Sequence, residues 1–320
     1  MCSVYRIELG LNAVPLISLQ ISHWLGLIRF SHTIFALPFA ALATVLAYAS
    51  PLPSGDSVSF SYQVVFGVLG CMVFARSAAM AFNRLVDREI DRKNPRTANR
   101  HIPAGVISVA GARWFTLGCS AGFIACTLLF LPNWLPLVFS LPVLGFLCGY
   151  SLAKRFTAAA HFWLGIALSL SPICVWLAIR GPESAVVWAD WYAPMILAMG
   201  IASWVTGFDI IYACQDASYD SEEGLHSVPA KFGVARALRF SLISHLMMLV
   251  FMFSLPFVSA EIDLGWIYLA GMTLVALLVV RQHRLVKPDD LDRVNEAFFT
   301  ANAWISVIVL VSGAADTLIR

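Results

Sequence analysis

Asn83, Asp87 and Asp91 stand at i, i+4 and i+8 where a long apolar run closes. On a continuous α-helix each such step turns about 40° past a full circle and rises about 6 Å, which predicts one stripe of three oxygen-bearing side chains. Asp216 and Asp220 repeat the spacing after a later apolar run, and Asp209 lies seven residues earlier, two turns deeper on nearly the same face. Clustered carboxylates repel one another unless a cation sits between them. A few hard oxygen ligands suit Mg²⁺, which keeps waters and takes further ligands from substrate phosphate oxygens. The stretch NRLVDREIDRKNPRTANRHIPAG, residues 83–105, also holds six Lys/Arg and three acidic residues. Self-pairing explains that mixture poorly, because exposed ion pairs contribute only ~0–1 kcal/mol each. Arg88, Arg92, Lys93, Arg96 and Arg100 are therefore expected to serve a polyanion rather than the aspartates. The chemistry implied is departure of a diphosphate stabilised by metal and basic side chains. Asp87, Asp91, Asp216 and Asp220 are its expected catalytic residues, and with Asn83 its metal ligands.

The elements that must position these groups are membrane helices. Hydrophobic residues make up 59% of the 320, and mean hydropathy is +0.78, whereas soluble domains sit near 45–50% apolar. An all-α, multi-pass integral membrane protein follows. A span takes roughly 20 mostly apolar residues, and nine stretches qualify: 31–50, 60–82, 106–130, 134–152, 159–179, 192–214, 237–257, 264–283 and 297–315. Residues 15–29 read as an interfacial helix. The division is thus an N-terminal segment, 1–30, and a membrane domain, 31–320.

Segments 84–105, 153–158, 215–239 and 281–295 hold fifteen Lys/Arg, and the alternating segments hold one, Arg180. Because positive loops stay cytoplasmic, the N-terminus and both acidic motifs are expected inside, in a bacterial inner membrane, with the C-terminus outside. The seven cysteines show neither CxxC nor ligand spacing and read as small hydrophobes. No removable signal peptide is expected, nor a nucleic-acid partner.

At this level of detail the residues carry a resemblance. NRLVDREID followed by RTANRHIPAGVIS, DIIYACQDASYDSEEGLHSVPAKFG, and YSLAKRFT at 150–157 together resemble the UbiA superfamily of intramembrane prenyltransferases. The match runs from about residue 29 to the last span. It implies nine helices around a central cavity that opens laterally to lipid, with the acidic motifs over its cytoplasmic mouth. It also implies Mg²⁺-dependent transfer of a chain from a polyprenyl diphosphate to an aromatic acid. This chain reads RHIPAG where the family often has RPLPSG, so His101 replaces a proline. Lys154-Arg155-x-Thr157 looks like the aromatic-acid prenyltransferases of quinone synthesis. GLHSVPAKFG resembles the 4-hydroxybenzoate polyprenyltransferase-like group, some of which are thought to prenylate a dihydroxynaphthoate on the futalosine route to menaquinone.

Further substrate-binding candidates follow from position. Lys154 and Tyr150, one turn apart, are expected to grip the diphosphate, a role the resemblance favours over a simple positive-inside anchor. Arg96 and Arg100 are expected to do the same. Tyr212, one turn before Asp216, offers an aromatic face to an allylic cation. Arg76, seven residues before Asn83, mirrors Asp209 before Asp216. The two either form a buried ion pair, or Arg76 holds an acceptor's carboxylate. A secondary transporter would place ionisable groups and broken helices near the midplane; here most charges lie at helix ends. A CDP-alcohol phosphotransferase would need a DG dipeptide, which is absent.

Overall fold

Long apolar runs punctuated by Pro, Gly and charge clusters leave few alternatives to helices, because lipid offers no partner for open backbone groups. The computed structural model describes residues 16–28, 33–258 and 262–319. Among these, nine long helices are α2 (Thr33–Ala49), α3 (Tyr62–Val86), α5 (Val109–Thr127), α6 (Leu135–Ala153), α7 (Ala160–Val186), α8 (Tyr192–Ala213), α11 (Val234–Ser254), α12 (Trp266–Leu285) and α13 (Val294–Ile319). Shorter helices are α1 (Leu16–Leu27), α4 (Arg88–Lys93), α9 (Ala217–Glu222) and α10 (Val228–Phe232). No strand occurs among the described residues beyond an isolated bridge between Lys287 and Asp290. Eight helices are long and apolar enough to cross a membrane. The ninth, α2, has 17 residues, about 25 Å at 1.5 Å per residue and just within spanning length.

α8 is the central helix and lies in the most buried of the spans. It packs against α7 and α11, while α13 joins α12 to α2, and α3 meets α5 and α6. Phe39, Trp204, Phe208, Met248, Met252, Tyr268 and Met272 fill the shared core. Small residues let the helices close up, as in membrane bundles generally. At Gly165 on α7 an added Cβ would lie 2.5 Å from the Ala202 carbonyl oxygen and 2.6 Å from Thr206 Oγ1 of α8. Gly165→Ala should therefore cost about 1–3 kcal/mol by overpacking, read as a lower midpoint of thermal unfolding in detergent; an unchanged midpoint would contradict so close a crossing.

The C-terminal ends of α3, α6 and α8 lie together, roofed by α4, α9 and α10, as their mutual hydrogen bonds require. α1, the helix expected within 15–29, packs at this end. Its Leu27 and Ile28 join Ala81, Leu85, Ile102, Ile107 and Ala112, and Trp24 stacks on Phe115 at 4.8 Å. Residues 1–15 and 29–30 of the N-terminal segment, and 31–32 at the start of the first expected span, lie outside the described residues.

The opposite end is closed by Arg180. Its guanidinium donates to Asp190 at 2.9 Å and to the Ser50 carbonyl at 2.7 Å, with further bonds to Ala47 and Pro51 carbonyls. These carbonyls finish α2 and the turn after it, where a helix has acceptors without intrahelical donors. Trp176 and Ser184 add donors to Asp190. The one basic residue found in the loops expected outside is thus a buried structural clamp.

Candidate active site

The first acidic motif is not one continuous stripe. α3 ends at Val86, Asp87 caps it with φ −90° and ψ 2°, and α4 restarts at Arg88. The second motif breaks the same way: Asp216, at φ −106° and ψ 8°, precedes α9. Both leading aspartates sit in the bridge region of backbone space, so each short helix is re-aimed relative to its long one. The expected unbroken i, i+4, i+8 stripe is corrected accordingly. An Asp91 N–H bond to the Asp87 carbonyl at 2.7 Å keeps Asp91 within one turn of Asp87.

Asp87 is buried and accepts from Asn83 Nδ2 at 3.0 Å and Arg155 at 3.1 Å, with Lys154 Nζ at 3.7 Å. Burial pushes its carboxyl above the usual carboxylate range, and nearby Asp91 adds to this; Lys154, Arg155 and Arg84 oppose the shift. Asp91 is buried too. Its Oδ1 accepts from Arg100 at 2.6 Å. Its Oδ2 has no hydrogen-bond partner, and the Arg84 guanidinium stands 4.0 Å away.

Motif one reaches across to motif two through the loop after α4. Asn94 donates to Asp216 at 3.0 Å, and Arg96 Nε donates to it at 2.8 Å. A second Arg96 nitrogen also pairs with Asp216, and a third donates to Tyr212 Oη at 2.9 Å. Burial works against the Arg96 charge, but hydrogen bonds to Asp216 and its negative charge more than compensate and raise the guanidinium pKa. Tyr219 Oη donates to the Ile90 carbonyl at 2.7 Å, and Lys93 pairs with Glu223 at 2.7 Å. Asp220 is buried and hydrogen-bonded to Ser227, the N-cap of α10. Gly224, with φ 68°, ends α9 in the left-handed region where only glycine is unstrained. The following His226 N–H donates to the Lys154 carbonyl at 2.7 Å, tying motif two to α6.

The arginines were expected to leave the aspartates for a polyanion; instead Arg96 and Arg100 each hold one, Arg92 holds Glu89, and Arg88 lies against Glu89. Carboxylates buried at a helix end need a counter-charge, and the nearest guanidinium supplies it. Among the described residues no three Asp, Glu, His or Cys side chains form a ready metal cluster. A cation would thus be held by one or two side chains of a motif and would complete its shell from water and phosphate oxygens, the mode Mg²⁺ favours. The unpartnered Asp91 Oδ2 and the all-oxygen donors fit such an ion.

Beneath the motifs lies an open cavity between α3, α5, α6 and α7. Its wall is apolar from Val68 to Met80 on α3 and from Leu164 to Ala178 on α7, except for Arg76, Tyr150 and a few hydroxyls. The twelve residue steps from Val68 to Met80 on α3 give it a depth of about 18 Å. Arg76 Nε is buried without a hydrogen-bond partner. The alternative of an Arg76–Asp209 ion pair is overturned, because Asp209 bonds His161 at 2.6 Å. Tyr150 lies within electrostatic reach of Arg76, Arg84, Asp87 and Asp209, at the cavity's polar end. Tyr212 packs on Phe298 at 4.4 Å, beneath the Arg96 guanidinium at 5.1 Å.

Asn94, Arg155, His161 and Ser227 join the site without having been singled out. Arg155 stood inside the Tyr150–Thr157 segment, and Asn94 inside the charged stretch. His161 carried one signal, its place four residues past Thr157 at the start of a span.

The geometry now meets known proteins. The UbiA prenyltransferase family profile matches residues 36–306. A 4-hydroxybenzoate octaprenyltransferase of Nitrosomonas europaea is 31% identical over 271 residues, 83% of this chain and 86% of its own. The apo structure of a UbiA homolog from Aeropyrum pernix K1 is 30% identical, with a TM-score of 0.76 over 88% of this chain and 96% of that one. A UbiA homolog from Archaeoglobus fulgidus bound to DMAPP and Mg²⁺ shares the fold, at 18% identity and a TM-score of 0.67 over 93% and 100% of the two chains. With the profile covering most of the chain and the same helical bundle in a 30% identical structure, this protein belongs to the UbiA prenyltransferase family.

Proposed function

We propose that the protein transfers a polyprenyl chain from its diphosphate to a 4-hydroxybenzoate-type aromatic acid, a step of quinone synthesis. The supporting observation is one juxtaposition: two acidic motifs rich in counter-charges sit over a long apolar cavity whose polar end carries a buried arginine. Its relatives named for 4-hydroxybenzoate support the same acceptor class. Mg²⁺, when bound, supplies Lewis-acid neutralisation of the diphosphate. One or two of Asn83, Asp87 and Asp91 from one motif, and of Asp216 and Asp220 from the other, would hold it. Arg96, Arg100, Lys154 and Arg155 exchange carboxylates for phosphate oxygens and take up the leaving group's charge. The cavity takes the isoprenoid, each buried CH₂ contributing about 0.8 kcal/mol, and keeps water from the allylic cation. Tyr212 and Tyr150 present polarisable rings to that cation.

Arg76 is assigned to the acceptor's carboxylate, placing the ring below the diphosphate. Arg76→Met should raise KM for the aromatic acid at least about tenfold, the loss of a charge-assisted bidentate pair, with KM for the diphosphate little changed. An unchanged acceptor KM in a folded variant would refute the assignment. The acidic motifs and the α1 end are assigned to the cytoplasmic side of a bacterial inner membrane by the loop charge asymmetry, with α1 in the interface plane. Membranes containing the protein, supplied with Mg²⁺ and a polyprenyl diphosphate, should prenylate 4-hydroxybenzoate. Prenylation of 1,4-dihydroxy-6-naphthoate instead would reassign the route to menaquinone, and no transfer to either would overturn the reading.

A further inference from the structure

One buried side chain joins the start of α10 to Asp209 on α8 and has no part in holding a diphosphate. His161, in the first turn of α7, has Nδ1 2.6 Å from Asp209 Oδ2. The Val228 backbone N–H donates to His161 Nε2 at 3.3 Å. A ring nitrogen that accepts carries no proton, so the neutral ring's proton lies on Nδ1 and is donated to Asp209. The ring is fixed from several directions. Thr206 Oγ1 of α8 donates to the Ala202 carbonyl at 2.8 Å and lies 3.4 Å from the His161 carbonyl, and Gly165, one turn along α7, is pressed against the same part of α8. Val228 opens α10, whose cap Ser227 also bonds Asp220.

Asp209 itself is not enclosed. Its side chain is 25% exposed against 7% for His161, although Phe208, Ile210 and Ile211 around it are buried. It shares an α8 face with Tyr212 and Asp216 and lies two turns, about 10 Å, below Asp216. Tyr150, on the cavity wall, is within electrostatic reach of it. A carboxylate with one oxygen held by an oriented imidazole, its side chain still a quarter exposed and within electrostatic reach of Tyr150 on the cavity wall, is an arrangement suited to proton abstraction.

We propose that Asp209 is the base that takes the acceptor's ring proton, and that His161 is its positioning residue. This rests on the aromatic-acid reading above. The allylic C–O bond breaks with its electron pair leaving on the diphosphate. The ring carbon ortho to the phenol supplies the pair for the new C–C bond. The C–H pair at that carbon then restores aromaticity, and the proton passes to Asp209, which becomes a neutral acid still hydrogen-bonded to His161.

The test uses the full-length protein with Mg²⁺, a polyprenyl diphosphate, and acceptor carrying hydrogen or deuterium at both positions ortho to the phenol. The wild type should show no isotope effect on kcat, because ring-proton loss is fast beside ionisation. Asp209→Asn, which still accepts from His161, should lose about 10²-fold or more in kcat, the usual contribution of a positioned base, and a primary isotope effect should emerge. His161→Gln, able to donate to Asp209 and accept from Val228, should retain most of kcat; His161→Leu should lose it and show the isotope effect. If Asp209→Asn is slow without an isotope effect, or as fast as the wild type, Asp209 is not the base and the diphosphate takes the proton. Loss of kcat in His161→Gln equal to that in His161→Leu would overturn the positioning role. Failure of the wild type to prenylate any phenolic acid would instead overturn the underlying function.

Discussion

Asp87→Asn should lower prenyl transfer by about 10²–10³-fold or more, as expected for losing one electrostatic contact to a developing charge. Stability should be almost unchanged. The physical reason is in the site: burial raises the Asp87 carboxyl above the usual carboxylate range, with Lys154 and Arg155 opposing the shift. Desolvation thus offsets much of what its ion pairs contribute, and a neutral amide of the same shape is tolerated. The functional loss comes instead from a missing anionic ligand between α3 and α4. Parallel measurements of transfer and thermal unfolding separate the two effects. Transfer within about threefold of the wild type at saturating Mg²⁺, far less than the loss of such a contact costs, would remove Asp87 from the metal site. A lowered unfolding midpoint would show that its ion pairs are structural.

Arg180→Met should produce the opposite pattern, a large loss of stability at a site remote from the acidic motifs. It strands Asp190, whose burial is compensated by Arg180, Trp176 and Ser184, and uncompensated burial of a charge costs about 3–5 kcal/mol. It also strips donors from the Ala47, Ser50 and Pro51 carbonyls. Arg180→Met/Asp190→Leu should recover the part due to the carboxylate and not the part due to those carbonyls. Unfolding midpoints of the three proteins in one detergent decide it. Equal midpoints for Arg180→Met and the wild type would show that the clamp carries no stability.

Periodicity made the spans and the acidic spacing legible, since lipid-facing helices must be apolar over their full length. It could not reveal the breaks at Asp87 and Asp216, where neither Gly nor Pro marks the change. Nor could it say which guanidinium meets which carboxylate: Arg96 and Asp216 are 120 residues apart, and their pairing depends on how two re-aimed helix ends approach. Equal depth made Arg76 and Asp209 look like partners. Depth fixes height along the helix and says nothing of azimuth, and His161, 48 residues before Asp209, occupies the space. The clamp at Arg180 was hidden for a related reason, because counting loop charges does not distinguish a snorkelling cation from one folded back onto a helix end.

The Arg96–Asp216 and Arg100–Asp91 pairs make the mouth of the cavity an ion exchanger. Each charge has a partner already, so an incoming anion must offer the arginines something better and leave the freed aspartates a cation. A lone phosphate can do only the first. A diphosphate arriving with a divalent ion would do both at once, so the same pairs that quiet the site would also act as a filter against simple phosphates.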